Sequence, residues 1–272
     1  MKKSRLFSML LTLVFLVSGI SASSVFAAKP DAASGQTKTI TISGKKIKVD
    51  SNVSNNDLAL LTADFMSTFE PEGVIVSISS TTTDMETALS TSQSSGDISP
   101  NSVISSTKML VTMVAERLYV TTNYDDYKFT AISTWLSAPL MIMDDTFGIA
   151  WSDDFTIGSE HCTLYAADNG EVNSGTLATM DPEVGIGYTF SMMVGYHGDG
   201  TFRSYNKKAK IEAYVFCLDA SGTANVVARY AHKYIGLTGI NCSVSSSPSV
   251  SFGASIGTAW DSTSPKYTSF TY

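Results

Sequence analysis

"KIEAYVFCLDASGTANVVARYAHKYI" spans residues 210 to 235, and the way it is read decides the fold. On either side of Leu218–Gly222, small or apolar residues alternate with polar ones at a period of two, the pattern of a half-buried strand. Ala209, Ile211, Ala213, Val215 and Cys217 share one face of the first arm. Ala224, Val226, Ala228, Tyr230 and His232 share one face of the second. The turn residues Asp219 to Gly222 predict a hairpin with Leu218 opposite Thr223. That register sets Glu212 against Arg229, a favourable cross-strand pair, on an exposed polar face with Lys208, Lys210 and Lys233. A third strand returning through Gly236–Gly239 would then bring Cys242 close to Lys233.

The same register separates the reactive side chains. Cys217 falls beside the loop and His232 at the far end, several residue pairs apart at about 3.3 Å per residue. A nucleophile and its base need hydrogen-bond reach. Cys217 is therefore expected as a small buried apolar group and His232 as a half-buried histidine near a sheet edge.

Working outward, the chain from about Lys108 reads as strands alone. "KMLVTMVAERLYVTT", "YKFTAISTWL", "FGIAWS" and "CTLYAA" are bounded by turn residues. In "GIGYTFSMMVGYHGDG", Ile186, Tyr188, Phe190 and Met192 share a face, and Asp199-Gly200 predicts a hairpin turn. In "SVSSSPSVSFGASIG", Val244, Val250, Phe252 and Ile256 oppose a Ser/Gly face, and Pro248 marks an edge strand. Many short strands without intervening helices predict an all-β domain, an antiparallel β-sandwich over residues 106–272.

A small helix-containing N-terminal extension, residues 28–105, is expected before it. Ile40/Ile42 and Ile47/Val49 alternate around a turn at Gly44-Lys45, which predicts a small hairpin. In "SNNDLALLTADFMSTFEPEG", Ser54 and Asp57 resemble a capping box. Leu58, Leu61, Phe65 and Phe69 keep helical spacing, and Pro71 and Gly73 end the helix. "VIVSIS" follows. The Ser/Thr-rich stretch from Ser79 to Thr107 then reads as a linker with one short helix at Asp84 to Gln93.

The first 27 residues carry a basic start (Lys2, Lys3, Arg5), an apolar run from Leu6 to Val17 and small residues at Val25 and Ala27. This is a signal-peptide pattern cut near Ala27, shorter than the roughly 20 apolar residues of a spanning helix. A secreted, extracellular protein without a stable membrane span is expected. The chain has 18 Lys and Arg against 25 Asp and Glu. Losing three basic residues with the signal leaves 15 against 25, a net charge of −10. So acidic a protein lacks the footprint of a nucleic-acid binder and is not drawn to anionic lipid, though apolar insertion stays open. Three cysteines allow at most one disulfide, and none is expected to be essential.

Few residues invite chemistry. Glu160, His161 and Cys162 are adjacent, but His161 and Cys162 point to opposite faces of a strand and cannot share an ion. The pairs Asp125/Asp126, Asp144/Asp145 and Asp153/Asp154 sit at predicted turns, where Asp is at home. Loops converging at one end of a sandwich would also suit Ca²⁺, so a metal site is left open. His197 and Asp199 flank a turn. Carboxylates distant in sequence could form a glycosidase dyad only in three dimensions. No nucleophile elbow, zincin motif, Walker loop or dinucleotide fingerprint occurs. No catalytic residue and no cofactor is assigned.

The composition points to a secreted non-enzymatic binding or interaction protein acting at the cell envelope, with a carbohydrate or protein ligand. Trp135, Trp151 and Trp260 could offer a platform for a sugar or peptide, although core packing is the commoner role. The alternating segments 185–197 and 243–257 also suit a β-pore-forming toxin or bacteriocin-like protein. A secreted hydrolase is the third reading.

Overall fold

The computed structural model describes residues 36–84, 86–89, 108–121, 124–139, 143–152, 154–167, 170–193, 205–219, 221–235, 239–254 and 259–272. The expected signal segment, most of the Ser/Thr-rich stretch after Leu89 and the turn expected at Asp199-Gly200 lie outside them.

In chain order the described elements are β1 (Thr37–Ile42), β2 (Lys45–Asp50), α1 (Asn55–Leu58), α2 (Ala63–Met66), β3 (Val74–Asp84) and β4 (Glu86–Leu89). They continue with β5 (Lys108–Val120), β6 (Asp125–Trp135), β7 (Asp144–Trp151), β8 (Phe155–Ala166), β9 (Glu171–Ser174), β10 (Thr176–Asp181) and β11 (Gly185–Ser191). The last are β12 (Asn206–Cys217), β13 (Thr223–Ile235), β14 (Ile240–Ser245), β15 (Ser249–Ala254), β16 (Ala259–Ser262) and β17 (Lys266–Thr271). The protein is almost all β, built of several mostly antiparallel sheets. One sheet of eight strands has the order β1-β2-β3-β5-β6-β12-β8-β9. A second runs β10-β11-β7-β13-β16-β4, with β17 also on β13, and β14 pairs with β15 by itself. The β2–β3 contact is parallel.

The 210–235 stretch is not a hairpin. β12 bonds to β6 and β8 in the first sheet, whereas β13 bonds to β7, β16 and β17 in the second. Both arms nevertheless turn inward the faces that alternation assigns them. Ile211, Ala213, Val215 and Cys217 share one core with Ala224, Val226, Ala228 and Tyr230. A period of two says which face is buried and is silent on which strand lies alongside. The five residues Leu218–Gly222 are long enough to cross the roughly 10 Å between packed sheets. Glu212 and Arg229 are thus not neighbours: Glu212 stands between Thr130 and His161, and Arg229 beside Gly148. Cys242 pairs with Phe252 rather than lying near Lys233. None of the three cysteines is in a disulfide.

The N-terminal segments cover the outer face of the first sheet. β1 and β2 form the expected hairpin, with Ile40 opposite Ile47. Its turn is Ser43–Gly44, one residue earlier than expected, with φ of 50° and 80°, the doubly positive geometry of a two-residue hairpin loop. The expected single helix is two separate turns. Ser54 and Asp57 make the capping box of α1. Thr62 then caps α2 by accepting from Phe65 N, so the chain restarts instead of continuing. Leu61, Phe65, Met66 and Phe69 pack with Ile47, Val49, Ile75, Val114 and Ile132 in a second core. β3 runs to Asp84 and pairs with β5 from Val74 to Asp84, so the ladder crosses the boundary placed at 105/106. Glu86–Leu89 is a strand on β16, not part of a helix from Asp84.

This cover also buries the face expected to be a solvent-exposed charged patch. Lys128 Nζ lies 2.9 Å from Glu116 Oε2, 2.8 Å from Glu72 Oε1 and 3.9 Å from Glu212 Oε1, and donates to Glu70 O. Glu116 Oε1 accepts from the backbone N–H of Glu72 and Gly73. Lys208 reaches Asp64 at 2.9 Å, and Lys210 reaches Glu212 at 2.8 Å. Gly73 is required here, since a Cβ would fall 2.4 Å from Arg117 O.

Candidate ligand-binding cleft

The strongest polar cluster inside the main core joins two residues singled out in the sequence. His232 Nδ1 lies 2.6 Å from Asp145 Oδ1, and the Tyr230 hydroxyl donates to Asp145 Oδ2. Trp135 Nε1 donates to the Tyr230 oxygen at 3.2 Å, and the Trp135 ring meets the His232 ring edge-on. Burial pushes the Asp145 carboxyl up, against the pull of His232 and Tyr230, and pushes the Tyr230 hydroxyl up as well. His232 is therefore not half-buried at an edge; it is 4% exposed and held by a carboxylate with no exposure at all. The cluster satisfies polar groups that would otherwise be costly in an apolar core.

The remaining candidates separate. Cys162 faces the core while His161 is exposed. Trp135, Trp151 and Trp260 are all buried, so they form no surface platform. Trp151 Nε1 donates to Phe155 O. Cys217 is fully buried in the core. Asp125 and Asp126 open β6 and Asp154 precedes β8 at the same end of the molecule, since Cys217 pairs with both Asp125 and Phe155. Asp144 and Asp145 open β7 instead, with Asp145 in the Tyr230–His232 cluster. Among the described residues no group of three or more His, Cys, Asp or Glu is placed to hold a metal ion. His197, Asp199 and Asp153 are outside the described residues.

An open site lies where the N-terminal cover meets both sheets. A half-open cleft of about 250 Å³ is lined by Asp50, Asn52, Asp57, Ser77, Arg117 and Ser269, with Val53, Val76, Ile78 and Phe270 among its apolar lining. Asp50 closes β2, and its Oδ1 accepts from Asn52 N. Its Oδ2 lies 4.0 Å from Arg117 Nη2. Asp57 is oriented by its capping bonds to Ser54 through Oδ2. Ser77 Oγ donates to Ser269 O, tying β3 to β17. The site thus offers carboxylate acceptors, an amide and a guanidinium donor over an apolar bed. Sequence reading missed it because these residues come from segments that lie far apart in the chain, from Asp50 to Ser269. The one local signal, the Ser54–Asp57 box, reads only as a cap.

No family model matches the chain, and no curated protein matches it. Among solved structures it is similar to the KRT10-binding region domain of the pneumococcal serine rich repeat protein PsrP, at 11% identity and TM-score 0.28, over 57% of this chain and 87% of that one. It is also similar to a structure described as a pore forming protein, at 7% identity and TM-score 0.28, over 87% and 95%. A third is Clostridium perfringens delta-toxin, at 7% identity and TM-score 0.25, over 87% and 95%. Likeness at this level leaves function to be read from the chain's own residues. No helix among the described residues is long and apolar enough to cross a membrane, which says nothing of strands.

Proposed function

We propose that the protein is a secreted, non-enzymatic binding protein, a β-sandwich that presents one end to a ligand at the cell envelope. Its cleft takes a hydroxyl-rich unit, such as one sugar residue of a glycan. The observation that carries this reading is the convergence of Asp50, Asn52, Asp57 and Arg117 on a half-open space of about 250 Å³. A sugar hydroxyl both donates and accepts, so carboxylates and a guanidinium suit it together. The C–H face of the ring would lie on Val53, Val76 and Ile78. The volume sits at the small end of ligand pockets, enough for a single ring. The sealed Asp145–His232 pair supports the non-enzymatic reading, since its histidine is shut away from ligand.

The test is titration of the purified protein with a panel of soluble oligosaccharides, beside Arg117→Leu and Asp57→Asn. Binding that falls at least about tenfold in both variants supports the cleft, because a hydrogen bond to a charged group is worth about 1.5–3 kcal/mol. Saccharide binding that both variants keep refutes it, and release of new reducing ends would replace it with the hydrolase reading.

A membrane-inserting protein is the second reading, favoured by the β14–β15 hairpin. It stands outside both large sheets, with Ser243, Ser245 and Ser251 exposed and Val250 buried against Ala150 and Val227. The other alternating segment speaks against it, because Tyr188, Phe190 and Met192 are buried in the core shared by the two sheets. Dye release from vesicles separates the readings.

A further inference from the structure

The end that carries the cleft also exposes apolar side chains, and we infer that it rests on a zwitterionic lipid surface. Val120, Asp125 and Cys217 lie in one row across three adjacent strands, since Val120 pairs with Asp125 and Asp125 with Cys217. Tyr124 and Leu218 come immediately beyond this row, and Tyr119 is next to it. Strand spacing of about 4.8 Å places all of them within roughly 10 Å across the sheet. Leu218 is 69% exposed, Tyr119 64%, Val120 48% and Tyr124 39%. Arg117 of the cleft is two residues from Tyr119, about 7 Å along the strand.

The chemistry of this tip selects its occupant. The four side chains expose roughly 400 Å², about half of what one partner gives to a standard protein interface, and they stand at or just beyond the ends of β5, β6 and β12, outside the lining of the cleft. Tyrosines with neighbouring aliphatic groups are the residues that settle at a membrane interface. Asp126, Asp154 and Asp219 lie at this end, and on its cleft side Asp50 and Asp57 stand with Arg117 and with Lys38, whose Nζ donates to Val53 O. That acidity opposes phosphatidylglycerol-type surfaces and suits headgroups that present a quaternary ammonium to tyrosine and carboxylate. The inference stands apart from the saccharide reading, because bare lipid carries no sugar.

Flotation of the purified full-length protein with phosphatidylcholine vesicles, and with vesicles containing phosphatidylglycerol, tests it. The protein should float with the former and less with the latter. The double variant Tyr119→Ser/Leu218→Ser should partition at least about tenfold more weakly, the loss expected from two such side chains. Leu136→Ser/Met193→Ser, which alters exposed apolar groups at the opposite end, should partition as the parent does. Thermal unfolding of each variant confirms that it is folded. Absence of flotation, equal partition by the tip variant, a matching loss in the opposite-end variant, or preference for phosphatidylglycerol would each overturn the inference. Arg117→Leu separates the two proposals, since it should lose saccharide and keep lipid.

Discussion

Replacing Lys128 with Met should be among the most damaging single changes outside the main core. The ammonium has no exposure, and its partner Glu116 has none either. Methionine fills a similar volume but leaves the Glu116 carboxylate buried with only the backbone N–H groups of Glu72 and Gly73 on Oε1. Removing one partner of a buried ion pair costs about 3–5 kcal/mol, a large part of the stability of an ordinary domain. The loss depends on pH, and its sign follows from Glu116. Burial already raises that carboxyl above the ordinary glutamate value of 4.5, and Lys128 opposes the rise. Without Lys128 the folded-state value climbs further. A carboxyl raised in the folded state contributes stability that is fully present below its unfolded value and is lost as pH rises through the folded one. The Lys128→Met penalty should therefore be full near neutrality and shrink toward about pH 4.5. Adding Glu116→Gln, whose amide oxygen can still accept from both N–H groups, should recover most of the loss near neutrality. Urea unfolding of the parent, both single variants and the double variant, at about pH 5 and about pH 7.5, gives the cycle. A cost below about 1 kcal/mol for Lys128→Met near neutrality, or no recovery in the double variant, would refute a buried clasp between cover and sheet.

Two further outcomes test the sheet assignments. Gly187→Ala should cost about 1–3 kcal/mol in thermal unfolding by overpacking, because its Cβ would fall 2.6 Å from Cys242 Sγ; adding Cys242→Ala should relieve part of it, and a neutral Gly187→Ala would remove β14–β15 from this face. Glu212→Gln and Arg229→Gln should be additive within about 0.5 kcal/mol in urea unfolding, since residues without shared partners do not couple; coupling above that would restore the hairpin and dismantle the two-sheet arrangement.

Face assignments were legible in β11, β12 and β13, because the residues that face the main core recur there at a period of two. Ile186, Tyr188 and Phe190 lie where alternation puts them, as do both arms of 210–235. Strand neighbours were not legible. Thr223 to Ala228 and Ala231 to Ile235 of β13 meet different strands on one side, and nothing local distinguishes those partners from β12. The apparent Glu212–Arg229 match was a coincidence of charge. Each residue had a better local reason to be polar: Glu212 meets the lysines under the cover, and Arg229 donates to Thr263 O and Ser262 Oγ and lies over the Phe252 ring. Glu212 and Arg229 therefore mark outward faces, and only a partner's position shows whether such a face reaches water.

The site was hidden for a related reason. Asp50, Asp57 and Arg117 are ordinary at their own positions: a strand end, a helix cap and a strand residue near a turn. Their chemistry exists only because β2 lies parallel beside β3 at Lys48–Val74 and Val49–Ile75, which carries the end of β2 toward Arg117. That short parallel contact is held by the cover, through Phe65 and Phe69 in the second core and Lys128 beneath Glu72. The clasp and the cleft are then one construction. A change that loosens Lys128 without unfolding the sheets should weaken ligand binding at Arg117, although the two residues share no partner, whereas lipid contact through Tyr119 and Leu218 should persist.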